Sequence, residues 1–183
     1  MPKIVDRESA RREIAGALLT VLAERGIDAV SVRTVATAAG RSPGAVQKYF
    51  ATKDEMLAAA LDLYVERSAA RIAAVPRGED LATTVITLIS ATLPLDEQRR
   101  LETLVLHEFA LRAAHDDHLA ERLRELDRQV LTELTEGLEL GAANASALLA
   151  LADGLAMRLL YRSHTPAEVT AALRAGVTAL LGT

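Results

Sequence analysis

The chain has 183 residues, half hydrophobic and a quarter charged, with a formal net charge of −4, enough to bury about two thirds of its unfolded surface as one compact domain or a small domain joined to a larger one. It has no cysteine, which excludes disulfides and thiolate metal sites and fits a reducing cytoplasm. Its five aromatics, Tyr49, Phe50, Tyr64, Phe109 and Tyr161, are too few for RNA or single-strand modules that stack bases on aromatic platforms.

The N-terminal residues carry no apolar run of the signal-peptide kind, and the apolar stretches farther on are interrupted by Asp153 and Arg158. No membrane span is expected, and the cytoplasm is the expected location. The spacing predicts a first helix from about Arg7 to Arg25, with Ile14, Leu18, Val21 and Leu22 on one stripe and Gly26 beyond its end. Ser31 is placed to cap a second helix whose inner stripe is Val32, Val35, Ala36 and Ala39. Gly40 then marks a sharp turn, because glycine takes a left-handed backbone without steric penalty.

Ser42 and Pro43 suit the N-cap and first position of a third helix, with Val46 and Phe50 turned inward. Pro43, Gly44, Gln47 and Lys48 are left for solvent. A short helix with little acid on its outer face, angled against a partner, is the helix-turn-helix arrangement that offers side chains to a major groove. An ordinary pair of core helices accounts for the apolar residues but not for the charge. Lys3, Arg7, Arg11, Arg12, Arg25, Arg33, Arg41, Lys48 and Lys53 outnumber five acids up to residue 53, a balance of +4, whereas the remainder carries −8. Such a split points to a polyanionic partner for the basic segment.

A fourth helix is predicted from Thr52 to about Val75, stopped by Pro76 and Gly78. Thr52-Lys53-Asp54-Glu55 fits a capping box at its start. Five more helices follow, over about 79–93, 96–114, 116–140, 144–161 and 165–181, and no stretch alternates as a strand requires. The helix from Asp116 shows the stripe Leu119, Leu123, Leu126, Val130, Leu134 and Leu138, closed by Gly141. Asn144 is the expected cap of the next, and Thr165-Pro166-Ala167-Glu168 is a capping box for the last. In these two final helices apolar residues cover more than one face, so the second face calls for a partner.

Gly26, Val30-Ser31-Val32-Arg33, Ala36, Ala39-Gly40, Gly44-Ala45-Val46-Gln47-Lys48-Tyr49-Phe50, Lys53 and Glu55-Met56-Leu57 together resemble the N-terminal domain of the TetR family of bacterial transcriptional regulators. The resemblance covers roughly the first third of the chain. It implies an all-α fold of about nine helices: a three-helix helix-turn-helix DNA-binding domain over residues 1–53, and a larger helical ligand-binding and dimerisation domain over 54–183. It also implies that Arg33, Tyr49 and Lys53, with Thr34, hold phosphates, and that Pro43, Gly44, Ala45, Gln47 and Lys48 lie against base edges. Many members have tyrosine where this chain has Gln47, and a glutamine can bond bidentately to adenine N6 and N7. Plainer readings stay open for Lys53 as a first-turn surface lysine, for Tyr49 as a partly buried ring with a wet hydroxyl, and for Gln47 as solvated surface.

By the same resemblance the last two helices form a four-helix dimer interface, assigned to Leu148, Leu151, Ala152, Leu155, Leu159, Val169, Leu173, Gly176, Val177 and Leu180. The small residues Ala152, Gly154, Ala156 and Gly176 suit close approach. A small-molecule effector is expected among the middle helices, with Tyr64, Leu104, His107, Phe109, Arg112 and Met157 as candidate contacts. No cofactor, metal or catalytic set is expected. His107-Glu108 begins a zinc-binding motif but Leu111 stands where its second histidine belongs, and His115-Asp116-Asp117-His118 suits a helix start. The function expected is a homodimeric repressor on a palindromic double-stranded operator, released by its effector. An activator, a ligand-independent regulator and a helical protein-interaction module are the alternatives.

Overall fold

The computed structural model describes residues 2–182, with side chains from Arg7 to Gly182. Among the described residues there are nine α-helices and no strand: α1 Pro2–Arg25, α2 Val32–Ala38, α3 Pro43–Gln47, α4 Lys53–Ala73, α5 Leu81–Thr92, α6 Glu97–Ala113, α7 Asp117–Thr132, α8 Ala142–Leu160 and α9 Pro166–Leu181. The chain divides into two compact units. One comprises Met1–Ala70 with Leu104–Glu108, the other Arg71–Thr103 with Phe109–Thr183.

In the first unit α1 packs on α2 and α2 on α3, around buried Ile14, Leu18, Leu22, Val35, Val46 and Phe50. This core extends past residue 53, because α4 buries Met56, Leu57, Ala60, Leu61 and Leu63. Ser31 and Thr34 form a complete capping box on α2. At α4 the box is displaced. Thr52 Oγ accepts from the Glu55 N–H at 3.1 Å, but the Glu55 carboxylate takes the N–H of Ala51 at 2.8 Å instead of closing on Thr52.

In the second unit α5, α8 and α9 share a core of Val85, Ile89, Leu93, Ala145, Leu148, Leu155, Ala156, Val169, Leu173 and Val177. A Cβ on Gly176 would stand 2.5 Å from Leu151 Cδ2. Gly176 therefore lets α9 close on α8 within the chain. Arg71, near the end of α4, donates to the Ala91 carbonyl at 2.9 Å and to the buried Glu102 carboxylate at 2.8 Å. α7 is shorter than its leucine stripe suggested: at Glu133 the chain loosens into a π-turn to Gly137, followed by Glu139 at φ 53°. Asn144 does not cap α8; its amide reaches the Leu180 carbonyl at 3.0 Å and ties α8 to the end of α9, while Gly141 holds the cap position.

Asp80, Asp96 and Asp116 accept the backbone N–H of Thr83, Arg99 and Leu119 at 2.7, 2.8 and 3.1 Å, capping α5, α6 and α7. Those backbone bonds favour the ionised form and hold all three carboxyls below the ordinary aspartate range. A carboxyl lowered in the folded state stabilises the fold above its unfolded pKa, and that contribution disappears as pH falls through the lowered value. Melting temperature should accordingly fall below about pH 4, and Asp80→Ser, which keeps a neutral cap, should shrink the fall in thermal melts between pH 7 and pH 3. An undiminished fall in that variant would place the acid sensitivity elsewhere.

Candidate nucleic-acid interface

The turn between α2 and α3 is made by Gly40 at φ 62°, after which the Arg41 N–H returns to the Ala36 carbonyl at 2.9 Å. Ser42 Oγ accepts the Ala45 N–H at 3.2 Å and Pro43 occupies the first position of α3, so the helix starts where Ser42-Pro43 predicted. Val46 and Phe50 anchor it from beneath, fully buried. Pro43, Gly44, Gln47 and Lys48 are exposed and Ala45 is half-buried. A side chain at Gly44 would meet nothing within 4 Å. The outer face of α3 is therefore open, flat at its start and polar at its end.

What holds this face in place was not visible in the sequence. Arg11 on α1 donates to the Tyr49 carbonyl at 2.8 Å, and its guanidinium lies 4.5 Å from the Phe50 ring centroid. A cation at that point suits both the negative end of α3 and the face of the ring. Arg41 bonds Glu13 at 2.6 Å, and Arg12 pairs with Glu66. Three of the basic residues that set the charge split thus work inside the unit. Arg33 and Lys48 remain exposed beside α3.

Two candidate phosphate contacts have other partners. Thr34 Oγ1 donates to the Ala29 carbonyl at 2.7 Å and accepts the Ser31 N–H at 3.0 Å; a hydroxyl has one proton to give, so this side chain serves the cap of α2. Lys53 Nζ donates to the Ile27 carbonyl at 2.9 Å, which leaves two of its three N–H groups for an anion. Tyr49 is half-buried.

Residues 14–60 match the family described as bacterial regulatory proteins, tetR family, and residues 82–182 match the BetI-type transcriptional repressor C-terminal family. The chain belongs to the TetR family. It is 31% identical to the HTH-type transcriptional regulator PksA of Bacillus subtilis over 86% of this chain and 82% of that protein. A transcriptional regulator from Rhodococcus sp. Rha1 has the same fold at TM-score 0.87 and 39% identity, covering 94% of this chain and 96% of that one. The multidrug binding protein EbrR, solved with imidazole, aligns at TM-score 0.72 and 28% identity over 93% and 88%. The helix-turn-helix of this TetR-family chain is a DNA-binding element, and its relatives are transcriptional regulators.

The six effector candidates of this TetR-family chain are divided by the fold. Tyr64, Leu104 and His107 are half-buried in the first unit. In the second, Phe109 is fully buried, Arg112 bonds Asp116 at 3.4 Å, and Met157 is 41% exposed. A recess of about 480 Å³ on the second unit, lined by Leu95, Pro166, Ala167, Thr170, Ala171 and Arg174, contains none of the six. Among the described residues no group of three metal-ligating side chains gathers.

Of the ten residues assigned to the dimer seam, Leu148, Leu155, Val169, Leu173 and Val177 lie in the chain's own core. Four of them are fully buried there and Leu155 is 5% exposed. Leu151, Ala152, Leu159, Gly176 and Leu180 are half-exposed. On the outer face of α8, Gly154, one of the small residues read as suited to close approach, is exposed together with Met157 and Tyr161 at helical spacing.

Proposed function

We propose that this TetR-family regulator is a repressor that binds a palindromic operator as a homodimer and is released by a small-molecule effector, in the cytoplasm beside its DNA. The observation that carries the DNA half is the open outer face of α3, which ends in Gln47 and Lys48 and is pinned from behind by Arg11. Gln47 is the residue to read adenine, Lys48 lies against base edges beside it, and Arg33, Tyr49 and Lys53 take phosphates. Pro43, Gly44 and Ala45 let the helix start approach the groove closely.

The dimer half rests on α8, a 19-residue helix with mean hydropathy 1.3 of which only 22% is buried within the chain. A helix this apolar in a regulator wants a second copy of itself. The effector acts by binding the splayed dimer better than the operator-matched one, so its arrival shifts the population through α4. That helix starts at Lys53 in the first unit and has its Arg71 in the second. An apolar or amphipathic effector fits the Leu, Val and Ala content of the middle helices.

The test is binding to duplexes selected from a random-sequence pool, titrated with salt. If each subunit neutralises about four phosphates, log affinity should fall against log salt with a slope of about −7. A slope near zero would overturn the proposal.

A further inference from the structure

The α1–α2 connection contains one residue, Ile27, gripped at both its backbone N–H and its backbone carbonyl. Gly26, at φ 75°, ends α1 and turns the chain into a 3-10 turn over Ile27–Ala29. The Ile27 N–H donates to Glu108 Oε2 at 3.3 Å, and the Ile27 carbonyl accepts Lys53 Nζ at 2.9 Å. The same carbonyl takes the Val30 N–H at 3.2 Å. Glu108 stands on α6, 81 residues away in sequence, within the short stretch that α6 contributes to the first unit.

We infer that Glu108 is a positioning residue for DNA binding: through the backbone of Ile27 it sets where the Lys53 ammonium presents its remaining protons to a phosphate. This rests on the DNA-binding reading, with Lys53 as a phosphate contact. The Ile27 N–H belongs to the Gly26–Ile27 peptide and the Ile27 carbonyl to the Ile27–Asp28 peptide; the two planes share the Ile27 Cα within a tight turn, so fixing the first with the Glu108 carboxylate fixes the place of the carbonyl that holds the ammonium. A lysine at the start of a helix meets the positive end of the helix dipole. Without a fixed acceptor its flexible stem would carry the ammonium outward into water, and with one the charge is held before DNA arrives. Lys53 then pays less entropy on binding, the advantage of any preorganised contact.

A carboxylate near a DNA-binding face would otherwise be expected only to repel phosphates, and the two roles differ in sign. If Glu108 merely repels, Glu108→Ala and Glu108→Gln both tighten binding. If it positions Lys53, Glu108→Ala weakens binding about 5- to 10-fold and makes the salt slope shallower by about 2 for the dimer, one phosphate per subunit at about 0.9 each. Glu108→Gln, whose amide oxygen still accepts the Ile27 N–H, recovers most of the slope. Lys53→Met costs the wild type a similar factor but adds little in the Glu108→Ala background, as two residues serving one contact require.

The experiment is a salt titration of the full-length dimer and these variants on one selected duplex, with melting curves alongside. Should Glu108→Ala fail to fold, Glu108→Asp, which keeps the charge but draws it back by one methylene, carries the same expectation of a shallower slope. Wild-type binding with an unchanged slope in both variants, or tighter binding by Glu108→Ala, would overturn this inference alone. No salt-dependent duplex binding by the wild type would overturn the DNA reading and this inference with it.

Discussion

Changing Gln47 and Lys48 together to alanine is expected to weaken operator binding by about 100-fold or more while leaving stability within about 0.5 kcal/mol. Both side chains are exposed on α3, and the residues that fix that helix, Val46 and Phe50, are untouched. A bidentate glutamine–adenine pair discriminates by about 1–3 kcal/mol, and a dimer makes it twice. The single variants should separate the two roles. Gln47→Ala should relax preference at one base pair per half-site and leave the salt slope alone. Lys48→Ala should relax preference at a second base pair, where its ammonium reaches a base edge, and lower operator affinity further. Titrations against the selected operator and a scrambled duplex measure both quantities. Equal affinity of the double variant and the wild type for the operator would remove α3 from the interface.

The residues from Ser31 to Phe50 were legible because their structure is set within four or five positions. A serine cap, a glycine at positive φ, a proline at the first helical position and an apolar pair four apart are all short-range instructions. Contacts across the sequence were not legible. Arg11 and Arg41 counted toward a basic patch, yet their partners Tyr49 and Glu13 lie 38 and 28 residues away and turn them into internal struts. Lys53 was readable as a phosphate ligand or as a surface residue, and its bond to Ile27 matches neither reading alone. Periodicity also cannot say which of two apolar faces a helix turns inward. On α8 the resemblance gave Leu148 and Leu155 to a partner helix, and both lie in the core of the chain itself. The end of α7 escaped for a similar reason: buried Leu140 sends its N–H to the Leu134 carbonyl at 3.4 Å, a wider turn than any α-helix makes, and the stripe ahead of it gives no local stop.

Gly154→Arg is expected to turn the dimer into a folded monomer and to lower operator affinity by about 100-fold or more, because two linked half-site contacts lose their mutual effective concentration. Gly154 is exposed, and a Cβ built on it meets nothing within 4 Å of the same chain. Nothing in the subunit therefore requires glycine there. In a helix interior glycine costs about 1 kcal/mol against alanine, so its presence wants a reason outside the subunit. Met157 and Tyr161, 41% and 59% exposed on the same side of α8, supply the apolar surface that a close helix crossing would cover. Placing a guanidinium in that crossing buries a charge without a partner, which an interface of about 800 Å² per subunit cannot absorb. Gly154→Ala gives a sign test. In a monomer it stabilises the helix by up to about 1 kcal/mol, whereas at a tight seam the added methyl raises the dissociation constant. Sedimentation equilibrium and melting curves at two protein concentrations distinguish these outcomes. A Gly154→Arg chain that stays dimeric and binds its operator normally would move the seam off this face of α8.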